Sequence, residues 1–142
     1  MNKDTIMGTT RAARQLTKVD KSVYPTQADG VTLQTAEGDW ELGMMTKVVP
    51  ADTIDRDFSI TDIVIEKVNR PNKTHEIVLY AGEHNIEVGR VRFSVDSTAP
   101  GVVPVEVGTR FLPADTPISA RLAVQGEGAK IAVISLRVEK RD

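Results

Sequence analysis

The chain contains no cysteine. Disulfides, thiolate nucleophiles and Cys-ligated zinc or iron–sulfur centres are therefore outside its chemistry, and its folding does not depend on a redox compartment. Aromatic residues make up only 4%, with a single tryptophan, so a sugar-binding surface of stacked rings is poorly supplied. Neither sign of charge dominates. Eighteen Lys and Arg against twenty Asp and Glu leave a net charge of −2, which gives no reason to expect direct nucleic-acid binding. No apolar run approaches the roughly 20 residues of a membrane-spanning helix. The first residues lack the apolar stretch of a signal peptide. The expectation is a soluble protein of the compartment where it is made, with no membrane partner.

Familiar catalytic motifs are missing as well. There is no GxxxxGK[ST] phosphate loop, no GxGxxG before a helix and no GxSxG elbow. Only His75 and His84 offer imidazoles. They flank a predicted hairpin turn and could meet there. With Glu76 or Glu83 as a third ligand they could hold a metal, although exposed turn histidines are the commoner outcome. The His-x-His pattern of cupin enzymes is absent. Asp52, Asp55 and Asp57 cluster in one loop, but the glycine and closing Glu of a dedicated calcium loop are missing. A solvated loop with Arg56 as local counter-ion is the preferred reading. Glu106 and Asp115 lack glycosidase-pair spacing. Asn72-Lys73-Thr74 fits a glycosylation sequon that matters only in a secreted chain. A non-enzymatic protein without cofactor or metal is expected.

What is abundant points to sheets. The 142 residues hold 18 Val, 10 Ile and 14 Thr against 7 Leu. β-branched side chains lose rotamer freedom in helices and fit a pleated surface. One domain of this length buries about two-thirds of the surface its unfolded chain exposes, enough for an unstapled core. Strand-like runs occupy residues 31–35, 40–49, 58–68, 74–81, 86–95, 102–111, 118–124 and 130–140, at the short spacing of an all-β sandwich or barrel. Eight strands predict an antiparallel, jelly-roll-like β-sandwich. An immunoglobulin-like sandwich is the main competitor. The last two runs alternate cleanly, with Ile118, Ala120, Leu122 and Val124 on one face and Ala132, Ile134, Leu136 and Val138 on another. Joined by Gly126-Glu127-Gly128, they predict a half-buried hairpin. Parity slips at Gly89, a bulge candidate. Residues 74–81 are apolar on both faces, as in a central strand or one meeting another subunit. Val49-Pro50-Ala51-Asp52-Thr53-Ile54 echoes Leu112-Pro113-Ala114-Asp115-Thr116-Pro117-Ile118, which predicts equivalent corners at one end of the sandwich.

Residues 1–30 are polar, with Lys3, Arg11, Arg14, Lys18 and Lys21 set against Asp4, Asp20 and Asp29. Thr10 could cap a short helix with Ala12, Ala13, Leu16 and Val19 on one face, too thin to persist alone. The expected organisation is an extended N-terminal arm at 1–30 and a sandwich domain at 31–142. The arm would either fray or order on a neighbouring subunit. Arg90 and Arg92 share a strand face. A stripe for an acidic partner is possible there, but pairing with Glu across strands is preferred.

Three stretches carry a family resemblance: Trp40-Glu41-Leu42-Gly43 running to the Pro50-Ala51-Asp52-Thr53 corner, Glu76-Ile77-Val78-Leu79-Tyr80-Ala81-Gly82, and Leu112-Pro113-Ala114-Asp115-Thr116-Pro117-Ile118-Ser119-Ala120-Arg121-Leu122 leading into residues 129–138. This order resembles small all-β virion proteins of tailed bacteriophages, over residues 40–138. The resemblance implies a non-enzymatic structural protein. The expected role is a head decoration (cement) protein that binds the major capsid protein lattice on the outer surface of the phage head, after synthesis in the host cytoplasm. Self-association as a dimer or trimer is expected. The alternative is a tail- or fibre-associated trimeric module for a host receptor or glycan. The candidate contact residues are Arg11, Arg14, Leu16 and Lys18 in the arm, with Trp40 and Tyr80 as anchors, since aromatics and Arg dominate interface energetics.

Overall fold

A computed structural model describes residues 19–25, 30–96 and 102–141. The described residues form nine strands and no helix: β1 (Val19–Tyr24), β2 (Val31–Gln34), β3 (Thr46–Val49), β4 (Phe58–Val68), β5 (Thr74–Ala81), β6 (Ile86–Ser94), β7 (Val103–Glu106), β8 (Ile118–Val124) and β9 (Ile131–Arg141). All pairings are antiparallel. One sheet runs β1-β9-β4-β7, with β2 also paired to β9, and the other runs β3-β8-β5-β6.

The order of pairing explains the architecture. β5 pairs β6, β4 pairs β7, β3 pairs β8, and β1 and β2 pair β9. These pairs are nested like the two arms of one long hairpin. Rolling that hairpin up brings β9 beside β4 and β8 beside β5, which closes two sheets over a common core. This is a jelly roll. β1 and β2 lie end to end along β9. Val19 to Tyr24 face Arg141 to Leu136, and Val31 to Gln34 face Ile134 to Ile131.

Alternation selects the core. In β9, Ala132, Ile134, Leu136 and Val138 are buried, as the sequence pattern requires of a strand with one wet face. Val68, Ile65, Ile63 and Ile60 of β4 meet them in register, and the buried Phe58 lies opposite Lys140. The three-residue step from Ile60 to Ile63 breaks the period of two. A register shift between Ile60 and Asp62 absorbs it, and a second lies between Ile65 and Lys67. Each bulge returns the next apolar residue to the inner face. From the other sheet come Ile77, Leu79, Ile118, Ala120, Leu122 and Val124, all buried. Each such side chain contributes about 1.5–3 kcal/mol by leaving water.

Three sequence expectations change. Residues 118–124 and 130–140 are not partners. β8 bonds β3 and β5, while β9 lies in the opposite sheet. Alternation reports which face is buried, not which strand is adjacent. The residues between them step from sheet to sheet, with Gly126 and Gly128 at φ 94° and 93°, a conformation that favours glycine. The boundary near Gly30 also moves. Val19–Tyr24, expected within the arm, is a strand of the sheet, and Tyr24 reaches the core. The predicted helix falls otherwise on residues outside the described ones. The bulge expected at the parity slip is present, with Val88 beside Gly89 looped out of the pairing. Gly89 is also sterically required, since a Cβ there would lie 2.7 Å from a Val107 methyl across the sandwich. Residues 40–45 are irregular, but Trp40 and Gly43 still donate to the carbonyls of Val124 and Leu122.

The paired corners agree with the expectation. Asp52 N–H donates to the Asp115 carbonyl at 3.1 Å and Asp115 N–H to the Ile54 carbonyl at 2.7 Å. Both aspartates occupy the left-handed region, at φ 62° and 67°, which Asp tolerates better than most residues.

The crossover from β2 to β3 depends on close backbone approach at Gly43. A Cβ there would lie 1.7 Å from the Gln34 carbonyl oxygen. Gly43→Ala is expected to lower stability by about 3 kcal/mol, read as a lower urea midpoint. Gly82→Ala, with open space around its Cβ but φ 83°, should cost only about 1 kcal/mol. Equal losses would refute the steric account.

Candidate interaction face

The outer face of the β3-β8-β5-β6 sheet is organised in rungs. The alternation that sends Ile77, Leu79 and Ala81 inward sends Glu76, Val78 and Tyr80 outward. On the first rung Ala123, Glu76 and Arg92 are in register, and the Trp40 ring lies 4.9 Å below the Arg92 guanidinium carbon. On the second, Arg121, Val78 and Arg90 line up. On the third, Lys47, Ser119, Tyr80 and Glu87 do. Val78 and Ala123 are almost fully buried although they face outward. Long cationic side chains commonly cover such positions with their stems.

Trp40 has φ 60°. A bulky side chain in the left-handed region costs about 1–3 kcal/mol, so the surroundings must hold it. They do so through the Trp40 N–H on Val124, the Glu41 N–H on Gly38, and the Glu41 carboxylate accepting from Gly38 N–H. Asp39 accepts from Gly126 N–H at 2.6 Å. The strained turn lays the only tryptophan over the sheet face.

Charge on this face is partly spent. Glu76, nearly buried, accepts from Arg90 at 2.6 Å and lies 3.5 Å from Arg92. Glu87 takes both remaining guanidinium bonds of Arg90, at 3.0 and 3.2 Å. Hydrogen bonding to Arg90 holds Glu87 below the usual carboxylate range. Bonds to Glu87 and then Glu76 push the Arg90 guanidinium still further toward its charged form. The expected pairing of Arg90 and Arg92 with Glu across strands is therefore present. Arg121 has a different environment. It donates to the Gly43 carbonyl at 2.7 Å and reaches that of Leu42 at 3.5 Å, with no carboxylate beside it among the described residues.

Of the residues singled out in the sequence, Trp40 and Tyr80 come together on this face. They stand at its two ends, four positions or roughly 13 Å apart along β5 as measured from Glu76. Arg11, Arg14, Leu16 and Lys18 lie outside the described residues. His75 and His84 are not brought together. His75 pairs Phe93 at the far end of β5, while His84 sits in the exposed turn 3.6 Å from Glu83. Asp57 does structural work, accepting from Ala114 N–H at 3.0 Å. Sequence reasoning passed over Lys47 as a member of the face, and named Arg121 only within the stretch that carries the family resemblance. Their signal is a cross-strand register, which no local window contains.

His75 faces the interior, fully buried and stacked 5.1 Å from Phe93. Its Nδ1 bonds the Lys73 carbonyl at 2.9 Å, and its Nε2 has no hydrogen-bond partner among the described residues. The buried Lys130, whose Nζ donates to the Gly126 carbonyl, is a nearby cation. Burial first, and Lys130 second, push the imidazole below its ordinary value against the opposing pull of the Lys73 carbonyl.

No protein-family model matches the chain, and no curated protein matches it in sequence. Among solved structures it is similar to one of the Gt strain of infectious bursal disease virus, at 12% identity and a TM-score of 0.41, covering 87% of this chain and 32% of that one. It is also similar to a Bacillus subtilis glycoside hydrolase family 43 arabinoxylan arabinofuranohydrolase, at 12% identity and 0.37, covering 88% and 24%. A third is desmodium yellow mottle tymovirus, at 9% identity and 0.30, covering 89% and 88%. The chain spans about a third of the length of the first. A hydrolase and virus structures stand together at these low scores, so the likenesses do not bear on function.

The buried neutral His75 has a consequence for pH. A depressed folded value means the unfolded chain binds the proton first, near pH 6.5. Stability is full above that value and falls as pH drops toward the folded one, by up to about 1.4 kcal/mol per unit. Urea midpoints between pH 7 and pH 5 should fall for the native chain and stay nearly level for His75→Phe. The Glu87 contribution is lost at lower pH, as the pH falls from the ordinary carboxylate value toward the lower folded one.

Proposed function

We propose that this chain is a non-enzymatic structural protein of a virion, and more specifically a decoration protein that binds the major capsid protein lattice on the outside of a tailed phage head. The observation that carries the reading is the coincidence of resemblance and architecture. The stretches that resemble small phage virion proteins, residues 40–138, supply both sheets of the jelly roll from β3 to β9. Their two Pro-Ala-Asp-Thr corners are bonded to one another at one end. On this reading binding comes from apolar and aromatic surface at subunit junctions, reinforced by the polar residues that precede β1. Self-association as a dimer or trimer accompanies it.

A glycan-binding tail role has less support. The Trp40 ring that would stack on a sugar already carries Arg92 on one face.

The test is co-sedimentation of the purified chain with capsids assembled without it, alongside light scattering of the chain alone. Saturable binding at a fixed ratio to capsid subunits is expected. A chain that forms a stable trimer and ignores capsids would overturn the head assignment.

A further inference from the structure

We infer that the outer face of the β3-β8-β5-β6 sheet is a docking surface for an acidic protein segment, seated between Trp40 and Tyr80. The inference deepens the proposed function by naming the chemistry of the partner.

The argument is an imbalance of charge. Asp39 and Glu41 beside Trp40 accept from the N–H groups of Gly126 and Gly38, and the strands of the face present Lys47, Arg90, Arg92 and Arg121 against only Glu76 and Glu87, on a chain whose net charge is −2. Both carboxylates are already taken. Glu76 is divided between Arg90 and Arg92, and Glu87 is held by Arg90. Arg121 bonds only backbone carbonyls, and Lys47 is exposed with no carboxylate among the described residues. Arg92, largely exposed, has one long contact to Glu76 and the Trp40 ring. Incoming carboxylates would supply the missing partners. The other sheet differs. Its outward Arg137 has Asp62 at 3.3 Å, and its Ser135 donates to Glu66 at 2.8 Å.

Position favours an extended polypeptide. The cations least engaged by carboxylates, Lys47, Arg121 and Arg92, lie on β3, β8 and β6, with Trp40 at the first rung, Tyr80 at the third and Val78 between. Aromatic anchors bracketing a desolvated centre are the usual composition of a binding hot spot. The strain at Trp40 serves to present that anchor.

Trp40, the only tryptophan, reports occupancy directly. Its fluorescence is followed while the full chain is titrated with an oligo-glutamate peptide of about ten residues at about 20 mM salt. A saturable change is expected, weakened about tenfold or more near physiological salt, and equally weakened in Lys47→Glu/Arg92→Gln with an unchanged urea midpoint. If the double variant does not fold, Lys47→Glu alone should still weaken binding several-fold. No saturable change, or one indifferent to salt and to these variants, overturns the inference. Tighter binding of an oligothymidylate than of the oligo-glutamate overturns the assignment to an acidic protein.

The capsid experiment separates this from the reading it rests on. Native chain that co-sediments while the folded double variant does not supports both. Equal co-sedimentation of the two overturns this face and leaves the decoration role. Oligo-glutamate binding without capsid binding leaves the face and overturns the role.

Discussion

The hydrogen-bonded ladder along β9 is what the rest of the structure depends on. Eleven residues long, β9 is bonded to β4 on one side and to β1 and β2, end to end, on the other. Without it the first sheet has no centre and the second has nothing to close against. Its four buried aliphatics meet β4 residue by residue, so hydrogen bonding and apolar burial are satisfied together. The bulges in β4 follow from this. A strand bearing Ile60 and Ile63 at odd spacing can lie against a strictly alternating neighbour only by looping out a residue.

The second sheet uses the same device for a different end. Its inner face completes the core. Its outer face carries a row of long polar side chains over Val78 and Ala123, two residues too buried for an ordinary wet surface. The cations here are disposed by register. Arg90, Val78 and Arg121 lie far apart in the chain and form one rung because β6, β5 and β8 pair where they do. Placement of charge is thus a by-product of the packing that fixes the core.

Much of this was legible in the sequence. The excess of Val and Ile over Leu gave the class, and the runs at 58–68, 74–81 and 118–124 coincide with β4, β5 and β8. The two Pro-Ala-Asp-Thr corners were readable because turn chemistry is local. What was not legible is non-local. The pattern of 118–124 and 130–140 reports burial for each strand separately, and a hairpin and a step between sheets look alike from that pattern. Val19–Tyr24 carries too few apolar residues to announce a strand, and it is one because β9 offers it an edge. The candidate face was half visible. Trp40 and Tyr80 stand out by residue type, but Arg121 and Lys47 join them only through cross-strand neighbours. His75 looks like a turn base in the sequence, and it is buried because its alternation places it beside Phe93.

The nested pairing sets the order in which the chain can assemble. β5 and β6 are joined by a short turn and can meet early, whereas Leu33 reaches Ala132 only across roughly a hundred residues. Each outer pair closes a longer loop than the one inside it, and the entropy of that closure must be met before the contacts form. Folds built this way are slow, in the millisecond-to-second range. During synthesis β9 emerges after the other eight strands. Until it does, the apolar faces of β2 and β4 have no common partner, so the sheet that depends on β9 cannot mature before β9 has been made.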